Sequence, residues 1–88
     1  MKEKIRKILK DKVAKDILTF FYQNQASIDT VGGITAWVQS EREKVKKILD
    51  KFVELGILEE ESISSTKGYC YTRNEKIMKI VKELMTPQ

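Results

Sequence analysis

The sequence predicts a small, mostly helical α+β fold: a three-helix core, a β-hairpin and an additional C-terminal helix. Three observations predict it. Apolar residues recur at steps of three and four through four separate stretches. A polar break at Gln39 and Ser40 is too short to be more than a tight turn between the second stretch and the third. After Gly56, two short extended runs precede the last helical stretch. Periodicities of 3.6 and 2 are the primary marks of amphipathic helix and half-buried strand.

From Glu3 to Asn24 there is neither proline nor glycine, and Ile5, Ile8, Leu9, Val13, Ile17, Phe20 and Phe21 share a helical face. One long helix over about 3–24 is expected. Ile28 then forms a very short strand or a buried anchor. Asp29 or Thr30 is suited to cap a second helix over about 31–39, with Val31, Ile34, Trp37 and Val38 inward. Gly32 and Gly33 weaken its first turn by about 1 kcal/mol each relative to alanine, so a short, late-starting helix is expected.

The third helix, over about 41–55, opens on Ser40-Glu41-Arg42-Glu43, the S-x-x-E pattern of a capping box. A serine in that role makes Ser40→Ala cost about 0.5–2 kcal/mol. Val45, Ile48, Leu49, Phe52 and Leu55 line the inward face, and Gly56 suits the stop. Ile57–Ser62 and Gly68–Thr72 read as the two strands of a hairpin over about 57–72, joined by the polar loop ISSTK. Thr72-Arg73-Asn74-Glu75 is a second capping-box pattern, opening a last helix over about 73–85 with Ile77, Ile80, Val81 and Leu84 on one face.

Length and composition bound the function. Eighty-eight residues make one domain, 1–88, and 41% hydrophobic with 34% charged residues suits a soluble core with a well-solvated surface. No apolar run approaches a membrane span, and MKEKIRKILKDK lacks the uninterrupted apolar stretch of a signal peptide. A single cysteine, Cys70, points to a reducing cytoplasm. With no histidine and no second cysteine, neither an ordinary zinc or iron–sulfur site nor the usual general base is at hand, so no metal, no cofactor and no enzymatic activity are expected. Gly32-Gly33 lacks the spacing and the following lysine of a phosphate-cradling loop.

The net charge of +4 is unevenly distributed: residues 1–15 carry seven basic and two acidic side chains, so the other 73 sum to −1. The helix from 41 to 55 holds five basic and four acidic residues.

The stretch Ile34–Leu58, ITAWVQSEREKVKKILDKFVELGIL, resembles the winged helix-turn-helix superfamily, which includes small bacterial and archaeal regulators of the MarR, ArsR and PadR kinds. Ile34, Val38, Val45, Leu49, Phe52, Gly56, Ile57 and Leu58 fill its apolar and glycine slots. Thr35 stands where the family usually has a small residue, and Gln39 replaces the turn glycine. An aromatic-x-x-threonine lead-in to the last helix is also similar, and the resemblance extends over about Asp16–Leu84.

It implies a sequence-specific DNA-binding transcriptional regulator whose helix 41–55 enters the major groove of double-stranded DNA. Arg42 or Lys46 would then donate to guanine edges, and Lys47 and Lys51 would meet phosphates, with Ser40 and Lys44 as further phosphate contacts. Lys67, at the hairpin tip, would touch the backbone or minor groove. Glu43 is a cap first and a base contact second, while Glu59-Glu60-Glu61 would repel phosphate, so either it faces away from the duplex or DNA is not the partner. A fold barely smaller than these 88 residues leaves no room for a separate ligand-sensing domain.

Blander roles remain open for the same residues. The cations of helix 41–55 also suit a solvated face. If the duplex reading fails, the alternative is a module docking on a protein partner. Trp37, Tyr69 and Tyr71 read as core, with Cys70 pointing the other way on its strand. The basic first helix suits a solvated face, a phosphate-contacting arm or a dimer interface. A homodimer is preferred, with Ile5, Ile8 and Leu9 and the terminal Ile77, Val81 and Leu84 at its interface.

Overall fold

The computed structural model describes residues 1–86. Its elements run α1 (Lys2–Ile8), α2 (Lys12–Gln23), β1 (Ile28–Asp29), α3 (Val31–Val38), α4 (Arg42–Glu54), β2 (Leu58–Ile63), β3 (Thr66–Tyr71) and α5 (Glu75–Met85). The strands form one antiparallel sheet in the order β1-β3-β2. The expected order recurs from α3 onward, and of the two readings of Ile28 the short strand holds: β1 is an edge strand that pairs Ile28 with Cys70 and Asp29 with Tyr69.

The core joins one face from each of the five helices and from β2 and β3. Helix α2 supplies Ala14, Ile17, Leu18 and Phe21, and α4 supplies Val45, Leu49 and Phe52. Ile34, Ile57, Leu58 and Tyr69 close it from α3, the α4–β2 turn and the sheet, with Tyr71 nearly as deep. Burying each of the larger side chains contributes about 1.5–3 kcal/mol relative to leaving it in water. At Gly56 the chain leaves α4 with φ +80, which a glycine adopts without the Cβ penalty.

The N-terminal segment is two helices, not one. Asp11 breaks it by capping α2: the backbone N–H groups of Val13 and Ala14 donate to Asp11 Oδ1 at 2.8 and 3.2 Å. A carboxylate that satisfies two first-turn donors favours a helix start over continuation, even without proline or glycine. The Ala14 N–H and the Lys44 ammonium, 3.1 Å away, hold the Asp11 carboxyl below the usual carboxylate range.

The break lets α1 turn back onto α5, where Lys2 Nζ meets Glu83 Oε2 at 2.9 Å. The apolar stripes that the sequence leaves uncovered at the two ends therefore cover each other. Ile5 and Val81, expected at a dimer interface, are fully buried inside the protomer and offer no surface to a partner. Ile8, Leu9, Ile77 and Leu84 remain half-buried.

Both capping boxes are displaced. Gln39 takes the left-handed conformation (φ 54, ψ 50) and ends α3, and α4 begins only at Arg42, with Glu41 at its N-cap. Ser40 thus stands one residue too early, and Glu43 is too close to the cap position for the reciprocal bond. At the other end Asn74, not Thr72, caps α5, accepting from the Ile77 N–H at 3.1 Å. Thr72 is buried instead, its hydroxyl accepting from the Asn74 N–H at 3.0 Å.

Asp11→Ala should therefore lower stability by about 0.5–2 kcal/mol, whereas Ser40→Ala should leave it nearly unchanged, as urea unfolding will measure. The pH dependence has a defined sign. A carboxyl held low in the folded state contributes fully above the ordinary carboxylate range, and that contribution is lost as pH falls through the lowered folded value. Asp11→Ala should lack that part of the acid sensitivity.

Helix α3 does start at Val31, despite its two glycines, because Thr30 Oγ1 accepts from the Gly33 N–H at 3.1 Å. A Cβ at Gly33 would lie 2.1 Å from Asp29 Oδ1, so a larger residue there would have to turn the Asp29 carboxylate aside. Trp37, expected in the core, is 55% exposed and rests on Phe20 with ring centroids 5.0 Å apart. In this short helix Ile34 and Val38 bracket the inward direction, and at about 100° per residue Trp37 falls about a quarter turn to one side. Ile28 is exposed rather than a buried anchor.

Candidate nucleic-acid interface

Helices α3 and α4, joined through Gln39–Glu41, present the N-terminal half of α4 beside the β2–β3 hairpin. A cleft of about 310 Å³ opens between them, lined by Thr30 at the N-cap of α3, Val31 and Gly32 of α3, Arg42 and Lys46 of α4, and Thr66, Lys67 and Tyr69 of β3. Three expected contacts, Arg42, Lys46 and Lys67, thus converge from two elements distant in sequence. Glu43 and Lys47 lie beside them around a second depression that shares Val31, Arg42 and Lys46.

The other expected residues lie apart. Lys44 turns to the start of α2, where it pairs with Asp11. Ser40 is half-buried in the turn, and Lys51, two turns into α4, pairs with Glu54 at 3.6 Å. Lys67 is not at the hairpin tip. The ladder runs from Leu58 opposite Tyr71 to Ile63 opposite Thr66, so the five-residue loop shrinks to a Ser64-Ser65 turn and Lys67 faces Ser62 within it. Ser64 adopts φ 56 to close that turn.

The cations of the cleft are not equivalent. Lys46 Nζ donates to both carboxylate oxygens of Asp50, at 2.7 and 2.6 Å, and this raises the Lys46 pKa. The Tyr69 hydroxyl donates to the same Asp50 at 3.3 Å, tying β3 to α4, and burial raises the Tyr69 pKa. Lys67 pairs with Glu60 at 3.2 Å. Among the described residues, Arg42 and Lys47 have no carboxylate within 4.0 Å. Those two remain available to an anion without exchanging an internal partner.

The acidic run of β2 does not act as a block. Alternation along a strand sends neighbours to opposite faces. Glu59 and Glu61 turn to Arg73, the first accepting from the Arg73 N–H at 3.0 Å and the second meeting its guanidinium at 3.5 Å. Glu60 turns to Lys67, at the cleft, so the expectation that all three face elsewhere is corrected at this residue. Thr30, Val31, Gly32 and Tyr69, read from the sequence as cap, core or helix-weakening residues, and Thr66 of the expected loop also line the cleft. Only the hairpin register and the α3–α4 angle bring them there. Gly32 is where α3 meets Arg42: a Cβ at Gly32 would lie 3.5 Å from Arg42 Nη1.

No protein-family model matches the chain, and no curated protein matches its sequence. A solved structure does match: reduced HlyU from Vibrio cholerae N16961, with a TM-score of 0.69 and 12% sequence identity, over 98% of this chain and 90% of that one. HlyU is a winged-helix transcriptional regulator. The fold is a winged helix. At this identity the likeness concerns the fold alone. In the winged-helix frame α3 and α4 are the pair of helices joined by a tight turn, and the β2–β3 hairpin that follows them is the wing.

Proposed function

We propose that this winged helix is a sequence-specific DNA-binding transcriptional regulator, acting in the cytoplasm on duplex DNA through α4 and the wing. The observation that carries the reading is the convergence of Arg42, Lys46 and Lys67 on one cleft between α4 and the wing. A guanidinium at the start of α4 suits bidentate recognition of a guanine edge, and ammonium groups beside it suit phosphates. Lys47, without a carboxylate partner, extends the cationic surface along α4. A homodimer on a two-fold site is part of the proposal, using the half-buried Ile8, Leu9, Ile77 and Leu84 in place of the wholly internal Ile5 and Val81.

Fluorescence-anisotropy titration of labelled duplex at two salt concentrations tests the reading. Affinity should fall steeply with salt, because each neutralised phosphate releases counterions. Absence of binding at low salt favours the second reading, docking on a protein. Its support is the internal pairing of Lys44, Lys46, Lys51 and Lys67 with carboxylates, which leaves a nearly balanced face.

That pairing yields a further expectation. Phosphate must displace Asp50 from Lys46, so Asp50→Asn should strengthen binding to selected and scrambled duplexes alike, by about three- to tenfold at low salt, and steepen the salt slope by about 1. The same titration checks it. An unchanged slope would remove Lys46 from the phosphate contacts.

A further inference from the structure

Helix α4 has two flanks, and the Arg42 cleft occupies one of them. Successive residues of an α-helix turn by about 100°, so Lys44, two positions from both Arg42 and Lys46, points to the side of α4 away from the cleft and the wing. There its ammonium lies 3.1 Å from Asp11 Oδ2. That contact sets the turn between α1 and α2, which ends on Asp11, beside the second flank. Lys47 stands on the exposed arc between the flanks, about 60° from Lys44 and about 100° from Lys46.

The turn carries cations that nothing inside the protomer uses. Lys10 stands in it, and Lys7 lies one turn earlier, since the Lys10 N–H donates to the Lys7 carbonyl at 3.2 Å. Both are exposed, and among the described residues neither has a carboxylate within 4.0 Å. Lys44, Lys46 and Lys67, by contrast, are held by Asp11, Asp50 and Glu60. Asp11 is fixed in turn by the Val13 and Ala14 N–H groups, so the turn is anchored both to α2 and to α4. The apolar side of α1 is turned inward, with Ile5 fully buried, so Lys7 and Lys10 offer charge without an insertable apolar face. That suits a phosphate backbone rather than a membrane surface.

An α-helix about 10–12 Å across fills a major groove about 12 Å wide, so a phosphate backbone runs along each of its flanks. In the duplex complex Lys46 and Lys67 serve one backbone. We propose that the α1–α2 turn serves the other, with Lys7 and Lys10 meeting phosphates of the strand that lies across the groove from the wing. This contact rests on the duplex reading and adds to it a second cationic arm, outside the α3–α4 pair and the wing.

Phosphate mapping tests it. Single methylphosphonate replacements along each strand of a selected duplex remove one charge at a time, and anisotropy reads the effect of each on affinity. The unaltered protein should show two sets of sensitive phosphates at a half-site, one on each strand across the major groove. Lys7→Gln/Lys10→Gln should abolish the sensitivity of one set and keep the other, and Lys67→Ala should do the reverse. The double variant should also bind selected and scrambled duplexes more weakly, by about three- to thirtyfold at low salt, with a salt slope smaller by about 1–2. Lys79→Gln/Lys82→Gln removes the same charge from the exposed side of α5 and should leave map and slope unchanged. Circular dichroism and urea unfolding confirm that the variants keep the fold.

An unchanged map and slope in Lys7→Gln/Lys10→Gln overturn the proposal. Equal weakening by Lys79→Gln/Lys82→Gln also overturns it, since the effect is then one of net charge alone. Sensitivity confined to one strand in the unaltered protein overturns it and leaves the duplex reading in place. If the unaltered protein binds no duplex at low salt, the duplex reading falls and this contact falls with it.

Discussion

Arg42→Ala is expected to weaken binding to a selected duplex about 5- to 150-fold more than binding to a scrambled one, the equivalent of one base-edge contact. Arg42 opens α4, faces the cleft, and has no carboxylate within 4.0 Å among the described residues. Its guanidinium therefore reaches a base without first breaking an internal pair, unlike Lys46. Arg42→Lys should not restore discrimination, because an ammonium lacks the planar fork that matches two acceptors. Lys67→Ala should instead weaken all duplexes alike and flatten the salt dependence, since phosphate contacts carry no sequence information. Anisotropy with both duplexes separates the patterns. If Arg42→Ala and Lys67→Ala match the unaltered protein on every duplex, α4 does not read DNA and the partner is a protein.

Ile5→Ala should destabilise the protomer itself by about 2–5 kcal/mol. Ile5 is fully buried where α1 folds back on α5, so truncation leaves a cavity as well as losing transfer free energy. Ile8→Ala, at a half-buried position, should cost clearly less. Urea unfolding at several protein concentrations distinguishes this from an interface role. A loss independent of concentration places Ile5 in the protomer core, while a loss that disappears on dilution places it between copies. The magnitude is a large share of the about 5–15 kcal/mol that a typical domain has in total, so the short first helix is a structural part of the fold rather than an appendage.

Most of the fold was legible in the sequence because its signals are local. The 3.6-residue periods of α2, α4 and α5, the polar break at Gln39 and Ser40, and the stop at Gly56 each follow from a few neighbouring residues. Helix starts were harder. Ser40, Glu41 and Asp11 all carry oxygen acceptors, and periodicity does not say which of several candidates becomes the cap. Asp11 decided the most: its two backbone bonds divide the first helix and turn α1 toward α5. The same apolar stripe that reads as an interface in one dimension is core in three.

The candidate site divides in the same way. Which cations α4 turns outward, and that a hairpin follows it, could be read from the local pattern of apolar and polar residues. Which cations converge on one cleft, and which are drawn to distant carboxylates, depends on how the elements pack. Lys46 with Asp50 is a helical i, i+4 pair, but the Tyr69 hydroxyl joins it from 19 residues away. Lys44 is drawn off to Asp11, 33 positions earlier in the chain. Glu60 parts from Glu59 and Glu61 because a strand alternates its side chains, and it meets Lys67 only because the turn shortens to Ser64-Ser65. Charge neutralisation acts through space over a few ångströms, and that distance is set by helix packing and strand register rather than by separation along the chain.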